Sequence, residues 1–137
     1  MLKNIAGVIL GMVVGMAANM AVIAFSWTIY PLPEGLDMND SEALAAFIGT
    51  LPAGAFALAM LAHLAQAGLG GWVAARVSSS GPVRQALIVG FLSSLGGLIN
   101  LLTIPGPMWM WIELPLYFVV AWAAGRQVAR ALEASEA

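Results

Sequence analysis

The sequence predicts an all-α fold, a polytopic transmembrane four-helix bundle, and three observations predict it. Apolar residues make up 61% of the 137-residue chain, and Asp, Glu, Lys and Arg together only 9%, against about 25% in a soluble domain. Too few charges remain to cover a water-soluble globule. Four long apolar segments, about residues 5–30, 51–75, 83–103 and 108–125, each approach or exceed the ~20 residues a helix needs to cross the hydrocarbon. Pro31, Pro33, Pro52, Pro82, Pro105 and Pro107 stand at segment edges, where a missing N–H costs least. The whole chain, 1–137, is expected to form a single membrane domain with no separate soluble unit.

Span one (5–30) follows Lys3 and stays apolar to Ile29, longer than the about 7–15 residues of a signal-peptide core, so it reads as a retained span. Its Gly7, Gly11 and Gly15 recur every four residues, and Asn19 continues the stripe. Met12, Met16 and Met20 form a second stripe, read as packing and not as a soft-metal site because no Cys and only one His are available.

The first connection carries Glu34, Asp37, Asp40 and Glu42 and no basic residue. Within it, Leu44, Phe47, Ile48 and Leu51 recur at i, i+3, i+4 and i+7 behind an Asp40/Ser41 cap. That pattern predicts a short amphipathic helix over about 41–50, lying at the outer interface as a lid on the bundle.

Span two (51–75) starts at Pro52 and places Ala55, Ala59, His63, Ala67, Gly71 and Ala75 on one stripe. Span three (83–103) places Gly90, Ser93, Gly97 and Asn100 on one face, and span four (108–125) places Glu113, Tyr117, Ala121 and Gly125. Pro115 falls inside span four and predicts a kink. In lipid, small residues mark the faces where helices meet. Gly7, Gly11, Gly15, Ala59, Ala67, Gly71, Gly90 and Gly97 are therefore the expected packing positions, and Asn19, His63, Asn100 and Glu113 should face protein and not lipid.

Orientation follows from the basic residues. Lys3, Arg76, Arg84, Arg126 and Arg130 all flank one end of the spans, which predicts cytoplasmic N- and C-termini. Trp27, Tyr30, Trp109 and Trp111 fall at the opposite interface, Trp72 and Trp122 at the inner one, as aromatic belts do. A shift of 50 positions takes His63, Trp72 and Arg76 onto Glu113, Trp122 and Arg126; a shift of 81 takes Lys3, Gly15 and Asn19 onto Arg84, Gly96 and Asn100. The spans thus read as two parallel hairpin repeats. Counted from these basic residues at about 1.5 Å per residue, Asn19, His63, Asn100 and Glu113 fall at similar heights and are expected to form one polar layer.

The stretches Leu51-Pro-Ala-Gly-Ala-Phe56, Gly70-Gly-Trp-Val-Ala-Ala-Arg76 and Ile99-Asn-Leu-Leu-Thr-Ile-Pro105 resemble segments of small four-span bacterial inner-membrane proteins to which no activity is attached. The resemblance implies the four-span topology and a bacterial inner-membrane location. Size and span count are also similar to those of the small multidrug-resistance transporters, but these carry an essential acid in the first span, where this chain has only Asn19.

Absent cysteine excludes disulfides, thiolate metal sites and cysteine nucleophiles. A single histidine excludes a multi-histidine metal or haem site within one subunit, so neither metal nor cofactor is expected. Five dispersed basic residues make no nucleic-acid footprint. No nucleophile–base pair is visible, so neither a catalytic residue nor an enzyme is expected. The expected partners are the lipid bilayer and either further copies of the chain or other membrane subunits. Three functions are weighed: a non-enzymatic, oligomerising membrane component or accessory subunit associating through its glycine stripes; a small homo-oligomeric proton- or cation-coupled transporter or channel using Glu113 and His63; and a membrane enzyme acting on lipid or quinone, which the missing nucleophile–base or metal constellation disfavours. Four short spans enclose little volume, which favours the first.

Overall fold

A computed structural model describes residues 1–136. Proline and glycine breaks cut the apolar chain into α1 (Leu2–Ile29), α2 (Ser41–Ile48), α3 (Ala53–Val77), α4 (Pro82–Thr103), a 3₁₀ segment at Met108–Ile112 and α5 (Glu113–Glu136). The described residues contain no strand. Four segments are long and apolar enough to cross a membrane: Leu2–Ile29, Ala53–Val77, Pro82–Thr103 and Met108–Ser135.

Local chemistry sets the boundaries. Asp40 caps α2, its side chain accepting hydrogen bonds from the backbone N–H groups of Glu42 and Ala43 at 3.0 and 3.1 Å, which satisfies two of the helix's free donors. Pro52 takes the N-cap position of α3 and Pro82 opens α4 behind Gly81, whose φ of +61° lies in the left-handed region that glycine enters at little cost.

Two details of the fourth span differ from the sequence expectation. Pro115 produces no kink within an α-helix, because it sits in the first turn of α5, where its missing N–H leaves no helical bond broken. The irregularity is instead the 3₁₀ segment before Glu113. Nor does the helix stop at 125. It continues to Glu136, because Val128 is buried with Ala75 and Ala86 and Leu132 packs against them, giving the last turns an apolar stripe of their own.

α3 occupies the centre. It packs against α1 on one side and against α4 and α5 on the other, while α1 barely touches α4. The chain is thus two antiparallel hairpins, α1–α3 and α4–α5, joined mainly through α3. One end carries all five basic residues, and there the Asn4 carbonyl accepts from the Ser79 N–H and hydroxyl, each at 3.0 Å, as its amide donates to Ser80 Oγ at 3.1 Å. The opposite end carries Glu34, Asp37, Asp40 and Glu42. These are called the basic and acidic ends below.

Glycine brings α1 and α3 into backbone contact. A Cβ on Gly70 would lie 2.6 Å from the Gly11 carbonyl oxygen, and one on Gly11 would collide with the Gly70 carbonyl. Gly7 and Gly15 face Ala74 and Gln66 in the same register. Ala67 is fully buried, Gly71 packs towards Ala86 and Ala121, and Gly90 faces Ala121. Gly97 instead makes room for the ring of Tyr117, whose Cε2 would lie 2.7 Å from a Cβ there.

Burial is inverted relative to a soluble protein. The enclosed positions are mostly alanine, glycine and polar residues, among them Ala62, Ala74, Asn19, Ser93 and Glu113. The large apolar side chains point outward, including Ile9, Val13, Phe25, Leu69, Ile99 and Val119.

Candidate functional site

A cavity of about 330 Å³ lies in the acidic half, in the wedge between α1 and α4. Phe47 and Ile48 of α2, with Leu32 and Leu51 of its flanks, supply apolar lining at the acidic end. The walls are also mostly apolar, from Ile23, Trp27, Phe56, Leu101 and Met110. On each of the four long helices, the lining residue nearest the basic end is polar: Asn19 on α1, His63 on α3, Asn100 on α4 and Glu113 on α5. The four sequence-predicted polar residues therefore form the floor of one cavity.

Three of them are joined. His63 Nδ1 lies 3.1 Å from Glu113 Oε2, and Asn100 Nδ2 lies 3.4 Å from His63 Nε2. With the Asn100 amide donating to Nε2, the imidazole carries its proton on Nδ1 and donates it towards the carboxylate. Tyr117 donates to the other carboxylate oxygen across a long 3.5 Å contact and stacks its ring against His63 at 6.4 Å between centroids. The Glu113 side chain is completely enclosed, whereas that of His63 keeps 15% of its surface open. An enclosed carboxylate needs such donors, because leaving them unmade costs its full desolvation penalty.

Asn19 is the fourth floor residue but stands apart from the network. It is buried and makes no side-chain hydrogen bond to any described residue. Ser26, two helical turns further along α1 and also buried, lines the same cavity with its hydroxyl unpartnered. Among the described residues no polar side-chain atom is both fully sealed and unpartnered, so Asn19 and Ser26, both lining the cavity, keep some open surface.

Ala59 lies on the cavity wall. The parts played by Tyr117, Ser26 and Gln66 are not expected from the sequence. Gln66 Nε2 lies 3.5 Å from Ser93 Oγ, a polar tie between α3 and α4 on the basic side of the floor. Helical spacing was the available signal: Tyr117 is i+4 from Glu113, Gln66 i+3 from His63, and Ser26 i+7 from Asn19.

Below the floor the packing closes. The Gly11–Gly70 contact, fully buried Ala62 and Ala67, and the Gly71–Ala86–Ala121 cluster fill the basic half. The cavity is blind on that side. Among the described residues no group of three or more His, Cys, Asp or Glu side chains could hold a metal ion. The chemistry the floor offers is hydrogen bonding, charge and proton exchange.

No protein-family model matches the chain, and neither a curated protein nor a solved structure is significantly similar to it.

Proposed function

We propose that this is a non-enzymatic, multi-pass protein of the bacterial inner membrane, both termini cytoplasmic, which binds a small amphiphilic molecule in the cavity near its outer face. The observation that carries the binding reading is the convergence of four polar residues, one from each long helix, on the floor of an otherwise apolar cavity. Ligand sites have this composition: an apolar enclosure with a few convergent polar groups. Its volume of about 330 Å³ falls in the lower part of the usual range of roughly 300–1,000 Å³.

Membrane insertion is supported by the inverted burial, since outward faces of Ile, Leu, Val and Phe suit lipid and would form an aggregating patch in water. The orientation rests on the five basic residues gathered at one end. The bacterial location rests on the resemblance to small four-span inner-membrane proteins. A duplicated origin for the hairpins is supported by where the related positions fall: His63 and Glu113 meet, and Asn19 and Asn100 line one floor.

The alternative, a proton- or cation-coupled transporter, draws on the His63–Glu113 pair. The closed basic half favours binding over passage. Association with another copy or another membrane subunit has to use the outer apolar faces, because the glycine stripes are occupied within the chain.

The test is native mass spectrometry after gentle detergent extraction, comparing wild type with Ala59→Phe, which places a ring in the cavity. A small-molecule adduct at one per chain, lost in the variant, is the expected result. Identical spectra for the two proteins would overturn the binding reading, and a different protein bound in fixed ratio would favour the accessory-subunit one.

A further inference from the structure

Building on the cavity-binding reading, we infer that the ligand is cationic: a protonated amine carried on an apolar body. The floor network sets the sign. With the imidazole donating from Nδ1 and receiving the Asn100 amide at Nε2, His63 is the neutral tautomer and Glu113, accepting from His63 and Tyr117, is the carboxylate. The network then carries one negative charge. No lysine or arginine lines the cavity, and all five lie at the basic end. A buried charge without a counter-ion is costly, and a cation in the cavity supplies one.

The remaining polar groups suit the same guest. The buried, unpartnered side chains of Asn19 and Ser26 offer acceptor oxygens to the cavity, and an ammonium brings up to three donors and no acceptor. Trp27, Tyr30, Phe47 and Phe56 line the upper wall, and aromatic faces attract ammonium groups. Outside, the connection between α1 and α3 carries Glu34, Asp37, Asp40 and Glu42 with no basic residue, a field that concentrates cations at the acidic end and repels anions. An anionic headgroup meets the opposite of complementarity at every step. The chemistry is shared by a free amphiphilic amine and by the amine of a phosphatidylethanolamine headgroup.

The experiment uses the full chain in phosphatidylcholine nanodiscs. Its thermal unfolding is titrated with octylammonium, octanol and octanoate, which share one tail. A bound ligand raises the midpoint in proportion to its affinity. The expected result is an apparent Kd for octylammonium about tenfold below that for octanol, with octanoate weaker still. Glu113→Gln should abolish the preference for ammonium over octanol. Asn19→Leu, which alters no existing hydrogen bond, should weaken octylammonium severalfold and serves as the second variant if Glu113→Gln does not fold.

Octanol equal to octylammonium, or octanoate stronger, would overturn the cationic assignment while leaving the cavity reading in place. Equal midpoint shifts in wild type and Ala59→Phe for all three probes would overturn the cavity reading itself. Repeating the titration in phosphatidylethanolamine nanodiscs separates the sources. A raised starting midpoint with no further octylammonium shift identifies the lipid, and a persisting shift identifies a free amine.

Discussion

His63 and Glu113, 50 positions apart in the chain, meet at 3.1 Å across the interface between α3 and α5, and each comes from a different helical hairpin. The contact is a polar link between the two halves of the bundle at cavity depth. Asn100 and Tyr117 extend it to α4 and back along α5, so every helix except α1 and α2 has a member in one network.

That network should be energetically measurable. Glu113→Ala leaves the His63 and Tyr117 donors without an acceptor and should cost about 1–3 kcal/mol. A double-mutant cycle of His63→Gln and Glu113→Gln, read by steric-trap unfolding in bicelles, should give a coupling of about 0.6–1.7 kcal/mol, the span found for membrane interhelical bonds. Strict additivity of the two substitutions would show that the contact contributes nothing.

The glycines divide into those that must stay small and those that need not. Gly70→Leu drives a side chain into the Gly11 carbonyl and should destabilise by about 1–3 kcal/mol, as overpacking does. A Cβ on Gly96 would meet no heavy atom within 4 Å, so Gly96→Leu should be close to neutral. Equal effects in the same unfolding assay would contradict the α1–α3 register.

Cysteine labelling offers a clean test of topology, because the native chain has no cysteine. Asn39→Cys at the acidic end should react with a membrane-impermeant maleimide on intact spheroplasts. Ser80→Cys at the basic end should react only after lysis. The reverse pattern would invert the orientation drawn from the basic residues.

The cap on α2 should control how firmly that helix covers the cavity. Asp40→Ala removes two side-chain bonds to backbone N–H groups and should cost about 1 kcal/mol locally. Amide exchange over residues 42–48 should then accelerate about fivefold, with unchanged exchange in α3. No change in α2 would mean that packing, and not the cap, holds the helix.

Much of this was legible in the sequence, and the reasons are physical. Helix existence followed from length and hydropathy, since backbone groups in hydrocarbon must be satisfied within the segment. The floor residues were legible because a polar side chain in an apolar run must find protein or a cavity. The partition of small residues between neighbours was not. On α3, Gly71 and Ala75 face Ala86 of α4 and Ala121 and Val128 of α5, whereas the adjoining Gln66, Gly70 and Ala74 receive Gly15, Gly11 and Gly7 of α1. Two neighbouring rows of small residues look alike in sequence, and only three-dimensional packing decides which helix each one meets. The continuation of α5 past 125 was hidden for a related reason: its end is held by Val128 and Leu132 against Ala75 and Ala86, a tertiary contact that hydropathy does not register.

The ties from α1 to the far side of its hairpin carry a consequence for biosynthesis. Asn4 bonds to Ser79 and Ser80, and Gly15 abuts Gln66, so the partner surface of α1 is made some 50–75 residues after α1 itself. At ribosomal rates of roughly 5–20 residues per second, α1 is complete several seconds before the surface it packs against, with its glycine face and Asn19 open meanwhile. Slower translation across codons 30–80 lengthens that interval and is expected to lower the yield of folded protein.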